Sequence, residues 1–153
     1  MTILRRTLAA AALAALAACA SVPKAPPERD LAAKQFAAPM PGQAALYVYR
    51  NESFGAAAKM GLILDGAYLG DTAANTFHWV TVAPGKHTLV GKAENDAVLE
   101  FEANPGQNVF VWQEVKMGVW SPRNRLELVD EARGKAAVAE CSLAEAGTPA
   151  APR

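Results

Sequence analysis

The chain has 153 residues, room for about one domain, and its 15 basic side chains balance 15 acidic ones. This neutrality argues against a nucleic-acid binder, because such domains carry an excess of lysine and arginine. No run of 18 or more apolar residues follows residue 20, which argues against an internal transmembrane helix. Two cysteines are too few for a disulfide-dense miniprotein.

The first twenty residues are organised like a bacterial secretion signal. Arg5 and Arg6 form a short positive region, and an unbroken alanine and leucine run follows over residues 8–18. This run is too short for a membrane span but fits the hydrophobic core of a secretory signal. Cys19 directly follows a Leu-Ala-Ala tripeptide, an arrangement that resembles the bacterial lipobox. The alternative is an ordinary signal with an Ala-x-Ala cleavage site and an incidental cysteine.

The lipobox resemblance implies cleavage between Ala18 and Cys19, followed by acylation of the Cys19 thiol and of the new amino terminus. Two or more acyl chains hold a protein stably on a membrane, whereas a single chain binds marginally. Because Ala20 rather than aspartate follows the cysteine, the sorting rule of Gram-negative lipoproteins implies the periplasmic face of the outer membrane. The expected membrane contact is therefore the acyl chains.

Acylation of Cys19 would leave Cys141 without an intramolecular partner. Three roles are then open to Cys141: an inert buried thiol, an intermolecular disulfide or a reactive site. Its alanine-rich, helical surroundings favour the buried thiol.

The rest of the chain divides into a tether, a β domain, a helix and a tail. Several prolines in residues 19–43 predict an extended, polyproline-like tether behind the lipidated cysteine, with a short helix near residues 30–36 as an option. Residues 44–130 form the β domain. Apolar residues at helical spacing predict a helix over residues 131–145, and residues 146–153 are predicted to be a disordered tail.

The β domain alternates apolar and polar residues in short runs, with turn signals about every eight to twelve residues. This spacing predicts an antiparallel β-sandwich of about seven or eight short strands, followed by a short C-terminal helix. The predicted strands cover residues 44–50, 60–64, 67–70, 77–82, 86–90, 97–103, 108–115 and 126–129.

Two turns suggest how these strands pair. Asp65-Gly66 supplies residues that tolerate positive φ and predicts a tight hairpin between the strands on either side. Pro84-Gly85 predicts a type II turn that pairs residues 77–82 with residues 86–90.

The sequence lacks the motifs of common enzymes and cofactor sites. It has no Gly-x-Ser-x-Gly, Cys-x-x-Cys or His-Glu-x-x-His, and no glycine-rich phosphate loop. The predicted pairing puts His78 and His87 on one face about 13 Å apart, too far to share a metal. Glu100 and Glu102 alternate with apolar residues and are interpreted as the solvent face of a strand. The sequence therefore predicts no enzyme, no cofactor and no metal.

The aromatic residues suggest two candidate binding regions. Aromatic pairs at alternate strand positions are typical of a sandwich core. Four of these residues would alternatively line a ligand pocket between the sheets: Tyr47, Tyr49, Trp79 and Trp112. Trp120 lies beside a polar loop and is the best candidate for an exposed aromatic. Together with Arg123 and Arg125 it forms a candidate partner surface.

The order of strands and turns resembles a known family. The residues that carry the resemblance are Gly42–Arg50, Ile63–Gly66 with Leu69-Gly70, Val82–Leu89, and Pro105-Gly106-Gln107 before a strand. They resemble the domain of unknown function 2846 family of bacterial lipoproteins over about residues 40–130. The series Asp-Gly, Leu-Gly and Pro-Gly-x-His-x-Leu is also similar to PEGA-type β domains. The resemblance implies a β-sandwich lipoprotein with no established catalytic residues.

The expected function is that of a non-enzymatic, outer-membrane-anchored module that contacts other envelope proteins through an edge strand or the Trp120 loop. The alternative is a periplasmic carrier of a small lipid or aromatic ligand. No nucleic-acid partner is expected.

Overall fold

Short apolar runs separated by tight turns produce nine strands and two helices over residues 21–147, the part of the chain that the computed structural model describes. In chain order these elements are α1 (Pro27–Ala33), β1 (Ala44–Arg50), β2 (Met60–Leu64), β3 (Ala67–Thr72), β4 (Thr76–Val82), β5 (Gly85–Lys92), β6 (Asp96–Ala103), β7 (Asn108–Lys116), β8 (Arg123–Val129), α2 (Glu131–Ala139) and β9 (Ser142–Leu143). Within this range no helix combines the length and apolar content needed to cross a bilayer.

The strands form two sheets. One has five strands in the order β8-β7-β1-β4-β9, and the other has four in the order β3-β2-β5-β6. The predicted mainly-β fold is confirmed, but the arrangement is not purely antiparallel. Strand β1 pairs with β7 in parallel, and β4 pairs with β9 in parallel. Hydrophobic alternation fixes the face that a residue occupies and says nothing of the direction of the neighbouring strand, so this mixture was not predictable.

Strand β1 is buried along its whole length because both of its faces are covered. Leu46 and Val48 point toward the second sheet and pack with its apolar residues. Tyr47 and Tyr49 point the opposite way, into a cluster that includes alanines of both helices. The molecule therefore has two cores, one between the sheets and one between the five-stranded sheet and the helices.

The two predicted turns have different outcomes. Asp65 and Gly66 have φ of +50° and +82°, and they join β2 to β3 as an antiparallel hairpin, as predicted. The predicted pairing across Pro84-Gly85 is wrong, because β4 belongs to the five-stranded sheet and β5 to the four-stranded sheet. Gly85 has φ of +127°, a conformation that lets the chain cross between sheets at this corner. His78 and His87 consequently lie in different sheets.

The segment before β1 is packed against the domain, which corrects the prediction of an extended tether for residues 24–36. Lys24 forms an antiparallel bridge with Ala144. Ala33 is fully buried, and its carbonyl accepts a hydrogen bond from the Tyr47 hydroxyl at 3.0 Å. The Asp30 carboxylate accepts the backbone N–H of Leu143 at 2.7 Å. Alanines among the prolines let this segment lie close to an aromatic sheet face. The predicted signal at residues 1–18 and the lipidated Cys19 lie outside the described residues.

Helix α2 ends earlier than the predicted 131–145, and the chain then adds β9 to the edge of the five-stranded sheet. The Asp130 side chain caps the helix by accepting the backbone N–H of Arg133 at 2.9 Å. Cys141 follows the helix and is buried, and burial raises its pKa to about 12. A thiol held in its protonated form is a poor nucleophile, which supports the interpretation of Cys141 as an inert core residue. Most of the predicted tail, residues 148–153, lies outside the described residues.

Candidate functional site

The four residues predicted to line a pocket between the sheets lie elsewhere. Tyr47 and Tyr49 are only 1% exposed, and they sit on the outer face of the five-stranded sheet beneath the helices. Trp79 and Trp112 flank them on the same face and are partly buried. The Tyr47 ring stacks on Phe110 with 4.9 Å between ring centroids. Because this cluster fills a core, the prediction of an inter-sheet pocket lined by these four side chains is wrong.

A buried polar network that the sequence did not suggest links the two sheets at one end of the sandwich. The Thr72 hydroxyl lies 2.6 Å from the Gln113 side-chain oxygen, and the Gln113 amide donates to Asn124 at 3.2 Å. The Asn124 amide in turn donates to the carbonyl of Gly91 at 3.1 Å. All three side chains are buried, so their hydrogen bonds must be satisfied within the protein. The network fixes the base of the turn that follows β7.

That turn, residues 117–121, exposes apolar side chains instead of burying them. The exposed fractions are 80% for Met117, 78% for Val119 and 93% for Trp120. Phe54 borders the same depression and is 53% exposed. We call these four residues the apolar tip. Single exposed apolar residues are common on protein surfaces, but a cluster of four at one end indicates a contact surface.

The backbone of the tip is held by one carboxylate. Glu94, in the turn between β5 and β6, accepts the N–H of Val119 at 3.0 Å, of Trp120 at 2.7 Å and of Ser121 at 2.8 Å. These hydrogen bonds hold the pKa of Glu94 below its usual range. Hydrogen bonds to an ionised acceptor are stronger than neutral ones, so Glu94 preorganises the turn. Glu94 lies 25 or more residues from its partners, so no local sequence signal could reveal this contact.

Phe54 is positioned by a buried charged group. The Arg50 guanidinium is fully buried at the end of β1 and donates to the carbonyls of Ala58 at 2.7 Å and Gly55 at 2.6 Å. These hydrogen bonds hold residues 51–59 in a compact loop. A Cβ atom placed on Gly55 would lie 2.9 Å from the Val115 side chain, so this loop packs tightly against the end of β7.

The structure brings together two of the three residues of the predicted partner surface. Trp120 and Arg123 both border the turn, and the Arg123 side chain passes close to Gly118. Arg125 is directed elsewhere: it forms ion pairs with Glu114 at 3.6 Å and Glu127 at 3.0 Å on the outer sheet face. The candidate contact surface is therefore the apolar tip with Arg123, and Arg125 is not part of it.

We expect Glu94→Gln to loosen the tip without unfolding the domain. Hydrogen bonds to an ionised acceptor are stronger than those to a neutral amide, so the amides of Val119, Trp120 and Ser121 should exchange with solvent faster in the variant than in the wild type. Hydrogen-exchange mass spectrometry or NMR measures this effect. Glu100→Gln, at an exposed carboxylate on the outer face of β6, is the matched control. Equal exchange in both variants would show that the carboxylate does not order the turn.

His87 forms a second polar contact, at the opposite end of the sandwich. Its Nδ1 lies 2.6 Å from the Asp65 carboxylate and its Nε2 lies 2.7 Å from the Ala83 carbonyl. Both partners accept hydrogen bonds, so the imidazolium, with two N–H groups, satisfies both. Burial lowers the pKa of His87, but the hydrogen bonds to Asp65 and Ala83 outweigh it and the net pKa is raised. The contact ties the β2–β3 turn to the corner between the sheets.

The outer face beside His87 is open and carries the two glutamates considered above. Lys86, Glu100 and Glu102 border a depression of about 450 Å³ there. Both glutamates are exposed, as predicted for the solvent face of a strand. Among residues 21–147 no group of three or more histidine, cysteine or acidic side chains is placed to hold a metal ion.

The His87 contact predicts a pH dependence with a definite sign. A raised folded-state pKa means that this contribution to stability is complete below the unfolded value of about 6.5 and is lost as the pH rises through the folded value. The thermal stability of the wild type should therefore increase relative to that of His87→Gln as the pH falls toward 6. The pKa of Asp65 is lowered by its hydrogen bonds to Thr88 and His87, so the gain reverses only in more acidic solution. The same difference in melting temperature between the two proteins at pH 6 and at pH 8 would contradict the prediction.

Comparison with known proteins places this chain in a family. The model of the family described as Protein of unknown function (DUF2846) matches residues 40–124. An uncharacterized protein of Haemophilus influenzae is similar, with 35% identity over 130 residues that cover 84% of this chain and 77% of the relative. No solved structure matches the chain. The matched region begins just before β1 and ends at the start of β8, so it contains most of both sheets. The chain belongs to the DUF2846 family.

Proposed function

We propose that this protein is a lipid-anchored component of the cell envelope that acts by binding through the apolar tip and not by catalysis. The observation that carries the proposal is the tip itself: Met117, Val119 and Trp120 are exposed on a turn whose backbone is fixed by Glu94. A preordered turn loses little conformational freedom when it binds, so its apolar side chains contribute efficiently to a contact. An exposed tryptophan is also a typical anchor residue at binding interfaces.

The anchoring part of the proposal rests on the sequence before the described residues. Leu-Ala-Ala-Cys at residues 16–19 follows an apolar run of the length found in secretory signals. Acyl chains on Cys19 would keep the domain on the periplasmic face of the outer membrane without a charged surface for lipid attraction. The near balance of acidic and basic side chains agrees with attachment through acyl chains and not through charge.

Intact-mass measurement with membrane fractionation tests the anchor. Expressed in a Gram-negative host, the wild type should begin at Cys19, carry the mass of acyl chains and sediment with the outer membrane. Cys19→Ala should lose both the added mass and outer-membrane residence. Cys141→Ser is the matched control, since it removes the other thiol and should behave as the wild type does. A wild type that is freely soluble and not acylated would refute the anchor.

A further inference from the structure

The segment that leads to the proposed anchor leaves the domain at the edge of the five-stranded sheet farthest from the apolar tip. Residues 23–25 lie outside β9 and run antiparallel to it, with a bridge between Lys24 and Ala144. Strand β9 runs parallel to β4, whereas β1 and β7 run in the opposite direction, toward the tip. Traced backward from Lys24 toward the anchor, the chain therefore moves away from the end that carries the tip.

The strand registers give the separation between this exit and the tip. Ala144 follows the residues of β9 that pair with β4, so it stands level with His78, and His78 is level with Val111 through their shared partner in β1. Lys116, the last residue of β7, lies about 17 Å further along the strand direction than Val111. Four strand spacings, about 19 Å, separate residues 23–25 from β7 across the sheet. The exit and the tip therefore lie at diagonally opposite corners of the sheet.

The link between the proposed anchor and the fold is short. The carbonyl of Pro23 accepts a hydrogen bond from the N–H of Glu145, and Pro23 lies four residues after Cys19. Four residues span at most about 14 Å, which is shorter than the distance from the exit to the tip. A domain that is held this closely at one corner presents its opposite corner to the periplasm.

The polar groups beside the tip are engaged within the protein. Lys116 forms an ion pair with Glu114, and the Glu52 carboxylate accepts the N–H of Val115 at 3.1 Å. The Glu94 carboxylate accepts three backbone N–H groups of the turn. The surface that stands beyond these groups is apolar, so a partner gains most by removing it from water. A convex turn achieves this by entering a groove that is itself apolar.

These observations favour a protein over the other large components of the envelope. Phospholipid of the anchoring leaflet lies at the opposite corner of the domain. A glycan brings hydroxyl groups that need hydrogen-bonding partners, whereas the carboxylates beside the tip already have theirs. Tryptophan and methionine are enriched at protein interfaces, and Arg123, exposed at the rim of the turn, fits the polar rim that surrounds the centre of such an interface.

We propose that the apolar tip faces the periplasm, away from the leaflet that holds the acyl chains, and inserts into an apolar groove of a protein. This inference rests on the proposed lipid anchor, and it specifies where the partner of the tip lies and what its surface is like. The domain then acts as a spacer that joins the outer membrane to a protein on its far side.

Tryptophan quenching tests the orientation. The acylated full-length protein is reconstituted in phosphatidylcholine vesicles with a minority of phosphatidylglycerol, in which part of the lipid carries bromine near the headgroup end of the acyl chains. The emission of Trp120 is the difference between the wild type and Trp120→Phe. We expect bromine to leave this emission unchanged and acrylamide in the aqueous phase to quench it, because Trp120 is 93% exposed. Ser21→Trp combined with Trp120→Phe places a tryptophan two residues from Cys19 and is the positive control for quenching by bromine.

Photocrosslinking in living cells tests the partner. A benzophenone amino acid replaces Trp120 or, as the control, Val98, which is 63% exposed on the outer face of β6. We expect an adduct to one protein, identified by mass spectrometry, from position 120 and not from position 98. Val119→Lys should lower the yield of this adduct roughly tenfold or more, because it brings a charge to an apolar groove without repelling Glu94. Val98→Lys is the matched control and should leave the yield unchanged.

The outcomes separate this inference from the proposed anchor. Quenching of Trp120 by bromine in the acylated protein would overturn the orientation and leave the anchor in place. Adducts from position 120 to phospholipid or glycan, equal protein adducts from positions 120 and 98, or a yield that Val119→Lys does not change would overturn the protein groove. A wild type without acyl chains would remove the anchor together with the orientation that depends on it.

Discussion

Arg50→Met should lower the free energy of unfolding by about 3 kcal/mol or more, because it removes two charge-assisted hydrogen bonds worth about 1.5–3 kcal/mol each. Methionine keeps an apolar stem in the same space, but the carbonyls of Gly55 and Ala58 would lose their buried donor. Burial lowers the pKa of Arg50, yet an arginine remains charged at neutral pH and its charge is stabilised here by carbonyl dipoles.

Chemical denaturation of the purified domain measures the loss, and hydrogen exchange in residues 51–59 locates it. Arg29→Met replaces an exposed arginine and is the matched control, expected to change stability little. The free energy of unfolding of Arg50→Lys should lie between those of the two methionine variants, since a single ammonium cannot reproduce the forked donor geometry of the guanidinium. If Arg50→Met and Arg29→Met unfolded at the same denaturant concentration, the Arg50 guanidinium would not be what holds residues 51–59.

The loop held by Arg50 also carries Phe54, so this variant connects stability with the proposed function. Loosening residues 51–59 should weaken the packing of Gly55 against Val115 and displace Phe54 from the tip.

Gly134→Ala should destabilise the domain, although glycine to alanine in a helix ordinarily stabilises by up to about 1 kcal/mol. Gly134 lies in α2 against the aromatic face of the sheet, and a Cβ there would come within 2.3 Å of Phe110. The Phe110 ring is buried and packs against the rings of Tyr47 and Phe36, so moving it away from a new Cβ would disturb these contacts. We expect a net loss near the upper end of the range for overpacked cores, about 3 kcal/mol.

Thermal and denaturant unfolding check the sign of this effect. Ala136→Gly, at an exposed position of the same helix, is the control and should cost about 1 kcal/mol through helix propensity alone. Combining Gly134→Ala with Phe110→Leu should recover part of the loss, since the two side chains compete for one space. A Gly134→Ala protein more stable than the wild type would show that the helix is not pressed against Phe110.

Strand positions and one hairpin were predictable because they depend on neighbouring residues. The runs at 44–50 and 60–64 match β1 and β2 in full, and the Asp65-Gly66 turn forms where a positive φ is needed twice. The exposed Trp120 was also foreseen from its place beside a polar loop. These are short-range properties of the chain, set by side-chain alternation and by turn chemistry.

Strand partners and the surroundings of the site were not predictable. Nothing local to Pro84-Gly85 tells whether the chain folds back as a hairpin or crosses to the second sheet, and the structure has the crossing. The alternation of Tyr47 and Tyr49 shows that they share a face, but not that helices instead of the second sheet cover that face.

The sequence by itself determined where eight of the nine described strands lie, which residues share a face, and that Trp120 is exposed next to a turn. The tertiary structure alone decided that Glu94 fixes the turn, that Arg50 gathers the neighbouring loop, and that the segment before β1 packs on the domain. The first set follows from backbone geometry repeated every two residues. The second joins groups distant along the chain, and such contacts are selected by the packing of the whole domain and not by any local pattern.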